Sequence, residues 1–162
     1  MSIKVIMLRV RKKGLSLHYK KQNLKGIEED FRIESVDSPR PEMKDAYWEV
    51  RDIFFEYFKQ FKFLKNKPTI QTVNLRYGGK NFEKDEISAI KIDGRIENID
   101  CDGLKYSTDW LEITDKKRQA VMEKLNKLIY EAEAFIRGDR AQESLFKEEN
   151  NASDAEQGAE EE

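Results

Sequence analysis

The chain has 162 residues, 38% of them apolar and 38% charged, with nine Phe, six Tyr and two Trp, which is material for one domain of ordinary size with an aromatic-supplemented core. A single cysteine, Cys101, and a single histidine, His18, exclude an intramolecular disulfide and a cysteine-based zinc site and argue against a His metal cluster or a Ser-His-Asp triad. The net charge of −2 hides an asymmetry: residues 143–162 hold eight acids against one base, leaving the rest of the chain with 29 basic and 24 acidic side chains.

Ile3 to Val10 is apolar-rich and β-branched and predicts a first strand. Lys12-Lys13-Gly14 then reads as a turn. Leu15, Leu17 and Tyr19 alternate with polar residues in a second strand with one dry face. Residues 1–25 contain eight bases and no acid. Arg9, Arg11, Lys12, Lys13, Lys20 and Lys21 therefore form a candidate nucleic-acid surface, with Tyr19 and His18 near enough in sequence to stack a base. The competing reading is a solvated sheet face whose lysines protect an edge from aggregation. Residues 20–29 read as a polar connection, and 30–36 as a third strand with Phe31 and Ile33 on one face.

Asp37-Ser38-Pro39-Arg40-Pro41 signals a helix start, with Ser38 or Asp37 as the cap. The helix predicted over 41–62 repeats Met43, Tyr47, Val50, Phe54, Tyr57, Phe58 and Phe61 at spacings of three and four. Those aromatics are core by their period. Trp48 and Phe55 lie off the stripe and widen it toward a second packing surface or a dimer.

Residues 69–77 and 86–92 predict two strands of a β-hairpin with Gly78-Gly79-Lys80-Asn81 in its loop, and Asp93-Gly94 reads as a second turn. Further short extended pieces are expected near 95–99 and around Leu104, Tyr106 and Trp110. A second long helix is expected over about 115–137, capped at Thr114-Asp115, with Val121, Leu125, Leu128, Ala132, Phe135 and Ile136 as its buried stripe and Gly138 as its stop. Strands, helix, strands, helix, with no Gly-rich strand-to-helix turn, imply an α+β domain over residues 1–138: a mainly antiparallel sheet packed with two long helices. No internal repeat is visible.

Chemistry-bearing clusters are sparse. Asp85, Glu86 and Asp93 with Lys91 have the residue types of a metal-dependent nuclease but not its spacing, and they read better as turn acids. Cys101, flanked by Asp100 and Asp102, makes a poor nucleophile because negative neighbours disfavour the thiolate. No catalytic residue, metal site or cofactor is assigned. No run approaches the roughly 20 apolar residues of a membrane span, and no signal peptide is seen at the N-terminus, so a cytoplasmic protein without a membrane partner is expected.

Just beyond Gly138, residues 139–147 contain Gln142-Glu143-Ser144-Leu145-Phe146, followed by an acidic tail over 148–162 whose composition predicts disorder. A Gln amide and two adjacent apolar side chains make a compact peptide anchor. The pentapeptide resembles the motif with which bacterial replication and repair proteins grip the β sliding clamp, DNA polymerase III subunit beta. That resemblance implies that Gln142 seats in a small polar pocket, that Leu145 and Phe146 fill the hydrophobic cleft, and that Ser144 takes the small polar position. Glu143 departs from the commoner aliphatic residue there. The alternative is that Leu145 and Phe146 fold back on the last helix. The chain as a whole also resembles small uncharacterised phage and prophage proteins that end in an Arg-Ala-Gln…Leu-Phe segment, here Arg140 to Phe146. Together these readings imply a non-enzymatic phage-type accessory of DNA replication or recombination, docked on the clamp and contacting single- or double-stranded DNA through its basic N-terminal region. Two alternatives stay open: an inhibitor that occupies the clamp cleft of a host, and a divergent nuclease tethered to the clamp.

Overall fold

The computed structural model describes residues 3–63, 68–98 and 101–138. Ile3–Val10 (β1), Leu15–Gln22 (β2) and Glu28–Ser35 (β3) form an antiparallel meander. Pro41–Trp48 (α1), Val50–Tyr57 (α2) and a 3-10 turn at Lys59–Phe63 cross back to Pro68–Tyr77 (β4). Ile87–Asn98 (β5) and Cys101–Ser107 (β6) complete a second meander, Leu111–Glu112 (β7) adds a short pairing to β5, and Asp115–Ile136 (α3) follows. The fold is α+β, and every strand pairing described is antiparallel.

Strand order in the sheet is β3-β2-β1-β4-β5-β6, which is symmetric about the central β1/β4 pair. Each half is therefore a three-stranded meander followed by helix. The sequence shows no matching repeat, because a topological repeat needs only the same order of dry faces and turns, not the same residues.

Alternation, reset by a register shift between Val5 and Met7, sends one set of side chains inward: Val5, Leu8, Leu15, Leu17, Val73 and Ile92 all belong to the same core as Val50, Ile53, Leu125 and Phe135 from the helices. Each such side chain, fully buried, contributes about 1.5–3 kcal/mol of transfer free energy. Phe54 is the junction between helix and sheet, its ring 4.9 Å from Phe58 and 5.1 Å from Tyr106 of β6. The aromatic stripe is thus core, and Phe55 joins it at 8% exposure while Trp48 remains 54% exposed.

Several expectations are corrected. The helix predicted over 41–62 is interrupted at Glu49. Its amide still donates to the Asp45 carbonyl at 3.0 Å, but its carbonyl accepts from Asp52, three residues on, at 2.9 Å. The tighter step separates α1 from α2. The cap position of the first helix falls on Arg40 and not on Ser38 or Asp37, because Pro41 starts it, and the Arg40 side chain makes no capping bond. Thr114 sits at the cap of α3, also without a side-chain bond. Gly138, at φ +106°, follows the end of α3 and donates its amide to the Phe135 carbonyl at 3.0 Å.

Asp93-Gly94 is not a turn; β5 runs straight through it. A Cβ at Gly94 would lie 1.9 Å from the Thr69 carbonyl oxygen and 2.6 Å from the Tyr106 hydroxyl. The glycine is there for close approach within the sheet, a use that sequence alone does not distinguish from a turn. β2 and β3 also extend further than expected, shrinking the polar connection over 20–29 to a turn around Asn23, whose side-chain oxygen accepts the amides of Lys25 and Ile27.

Candidate nucleic-acid interface

With all three helices in one core on one side, the other face of the sheet carries the alternate residues of each strand. The register aligns Arg32, His18, Met7, Asn74 and Lys91 in a single row across β3, β2, β1, β4 and β5. Four inter-strand gaps of about 4.8 Å make this row about 19 Å long. It has a cation at each end and a polar or soft centre. Arg9, Arg76, Arg95 and Lys105 occupy neighbouring rows on the same face. Among the described residues, no ion pair ties Arg9, Arg32, Arg76, Lys91, Arg95 or Lys105. Arg76 lies over the Trp110 ring, 5.3 Å from its centroid.

The six bases singled out from the sequence do not form one surface. Arg9 and Lys20 lie on the open face, the latter 3.7 Å from Glu28. Lys21 pairs in register with Ile3 and Glu29, so it points to the opposite side. Arg11, Lys12 and Lys13 cluster in the β1–β2 turn, where the Arg11 amide donates to the Gly14 carbonyl at 3.1 Å. Tyr19 is unavailable for base stacking: it is buried and stacked on Phe31 at 5.2 Å. His18 does face outward, 3.2 Å from Asp30.

Acids on the open face temper its charge locally. Glu34 accepts from the Ser16 hydroxyl at 2.7 Å and from Arg11 at 3.3 Å, and these bonds, the Ser16 one foremost, hold its carboxyl below the usual range. Lys4 is nearly enclosed, 3.1 Å from Asp85 and 3.3 Å from Glu28. Burial by itself would lower its pKa, but the Asp85 and Glu28 hydrogen bonds and charges outweigh that and raise it. Lys4 is therefore structural.

The acids weighed as a nuclease centre are dispersed to different partners. Asp85 meets Lys4, Glu86 meets Arg118 at 3.3 Å, and Asp93 accepts from the Ser107 hydroxyl. Among the described residues, no group of three or more His, Cys, Asp or Glu could hold a metal ion. No described helix is long and apolar enough to cross a membrane.

β1 and β4 pair through only two residue pairs, Met7 with Asn74 and Leu8 with Val73. On one side of this joint the Tyr77 hydroxyl bridges the strands by donating to the Val5 carbonyl at 3.0 Å. On the other side the strands part, and a cavity of about 340 Å3 opens between Val10 and Ile70 under α1. The β1–β2 turn contributes Arg11 and Lys12 to its rim, and α1 contributes Lys44, Tyr47 and Trp48, which share a helix face by their spacing of three and four.

The sequence reading missed Arg32, Asn74 and Lys91 on the open face and Lys44 beside the cavity. Arg32 lies between the inward Phe31 and Ile33, and Lys91 between Ile90 and Ile92, so alternation alone marks both as outward. Their alignment depended on strand order. Gln142, Ser144, Leu145 and Phe146 lie outside the described residues.

The chain matches no family model, no curated protein and no solved structure.

Proposed function

We propose that this protein is a phage-type accessory of DNA replication or recombination that binds nucleic acid on the open sheet face and docks on the β sliding clamp through Gln142, Ser144, Leu145 and Phe146. The observation that carries the nucleic-acid part is the row from Arg32 to Lys91. A sheet face with cations spaced along and beside a polar track follows a phosphate backbone while leaving the bases unread. The docking part is supported by the pentapeptide, four residues past the glycine that ends α3. The acidic residues beyond the motif repel DNA, so they favour contact through the body.

Two binding measurements test the two parts separately. Immobilised sliding clamp should capture the full chain at micromolar concentration, and Leu145→Ala with Phe146→Ala should abolish capture while leaving DNA binding intact. Absence of capture by the intact chain would refute the docking. Capture without any affinity for DNA would instead favour a protein that blocks the clamp cleft of a host.

A further inference from the structure

The cavity where β1 and β4 part is built differently from the open face, and it lies on the helix side of the sheet. Its volume, about 340 Å3, is at the lower end of the range of about 300–1,000 Å3 typical of small-ligand sites, so it has room for one small molecule. Three cations surround it, Arg11, Lys12 and Lys44, and no acid lines it. Arg11 is engaged by Glu34 at 3.3 Å, whereas neither Lys12 nor Lys44 makes an ion pair among the described residues. Trp48 stands at the same opening with about half its surface exposed. Arg51 lies 5.2 Å from the indole centroid, which braces the ring from the helix side.

Tyr47 closes part of the wall. Tyr47 is only 6% exposed, and its hydroxyl is a buried polar atom without a hydrogen-bond partner of good geometry. Burial pushes its pKa upward, and the Val10 backbone and the Arg9 charge offset this only in part. The hydroxyl has almost no accessible surface, so the phenol is a fixed part of the wall rather than a group open to the cavity.

We propose that this cavity binds a nucleoside phosphate, with the base stacked on Trp48 and the phosphate held by Lys12 and Lys44. The chemistry fits both a free mononucleotide and one nucleotide of a single strand that has left its neighbours. An inorganic anion alone would use the lysines but not the indole. The inference stands on the cavity and does not require the open face to bind anything.

Tryptophan fluorescence of the full chain tests it. Trp110→Phe leaves Trp48 as the sole indole, since the chain has two tryptophans. Deoxyadenosine monophosphate, single-stranded (dA)8 and inorganic phosphate are titrated against this variant. Saturable quenching by the mononucleotide identifies a free nucleotide as ligand, and quenching by (dA)8 alone identifies a strand-borne one. In either case Lys12→Glu with Lys44→Glu should weaken binding about tenfold or more, with the circular dichroism unchanged. Three results overturn the proposal: no quenching by either base-bearing probe, equal competition by inorganic phosphate and mononucleotide, or quenching indifferent to the lysine reversals. The Arg32→Gln, Lys91→Gln variant should quench normally with the mononucleotide. Loss of the cavity reading and loss of the sheet-face reading are thereby told apart.

Discussion

Neutralising both ends of the cross-sheet row, Arg32→Gln with Lys91→Gln, should change how DNA binding responds to salt. Six cations on the open face have no ion-pair partner among the described residues: Arg9, Arg32, Arg76, Lys91, Arg95 and Lys105. If each meets one phosphate, raising salt from about 50 to about 200 mM should weaken wild-type binding about 300-fold for a single strand and about 2,000-fold for a duplex, from slopes of about −0.7 and −0.9 per contact. With four contacts left, the same change should weaken the double variant only about 50-fold and about 150-fold. The slope of log K against log salt should thus fall by about 1.4 for a single strand or about 1.8 for a duplex. Fluorescence anisotropy with a labelled oligonucleotide, single-stranded and then annealed, measures both. Exposed substitutions of this type seldom shift stability by more than about 0.5 kcal/mol, so an unchanged Tm serves as the control. An unchanged slope in the double variant would refute the row as a phosphate track. So would an equal loss of slope from Lys21→Gln, which lies on the opposite side.

Two further outcomes follow from the packing and charge of the sheet. Gly94→Ala places a methyl group 1.9 Å from the Thr69 carbonyl oxygen, and overpacking of this kind should cost about 2 kcal/mol or more and lower Tm by about 5 °C or more; a melt within a degree of wild type would show that the strands yield more readily than argued. Lys4 has its pKa raised by Asp85 and Glu28 against the opposing effect of burial, so its stabilising effect is present below the unfolded lysine value of about 10.4 and is lost as pH climbs through the folded value. Wild type should therefore melt above Lys4→Met at pH 8, with the gap closing toward pH 11, and a gap that stays constant or widens would contradict the assigned charge pairing.

The sequence carried the local structure of this protein well, because local structure follows from periodicity and punctuation. Leu15, Leu17 and Tyr19 announced a dry strand face and are buried, and Val121, Leu125, Leu128 and Phe135 announced the face that α3 turns to the core. It misread Asp93-Gly94, because a glycine beside an acid has the composition of a turn whether it bends the chain or admits Thr69 and Tyr106 to close contact. It ran α1 and α2 together, because the apolar period passes through Glu49 unbroken while the hydrogen bonding tightens there.

By itself, then, the sequence determined an α+β domain, its aromatic core, a basic run over residues 1–25 and the pentapeptide Gln142 to Phe146 ahead of an acidic end. The tertiary structure decided which of the bases share a surface. Strand order 3-2-1-4-5-6 brings Arg32 and Lys91, far apart in the chain, into one row. It also limits the β1/β4 joint to two residue pairs, which opens the cavity beside Tyr47 and Trp48. Alternation is a property of one strand and is written in its residues; alignment is a property of neighbouring strands and exists only once the sheet has formed.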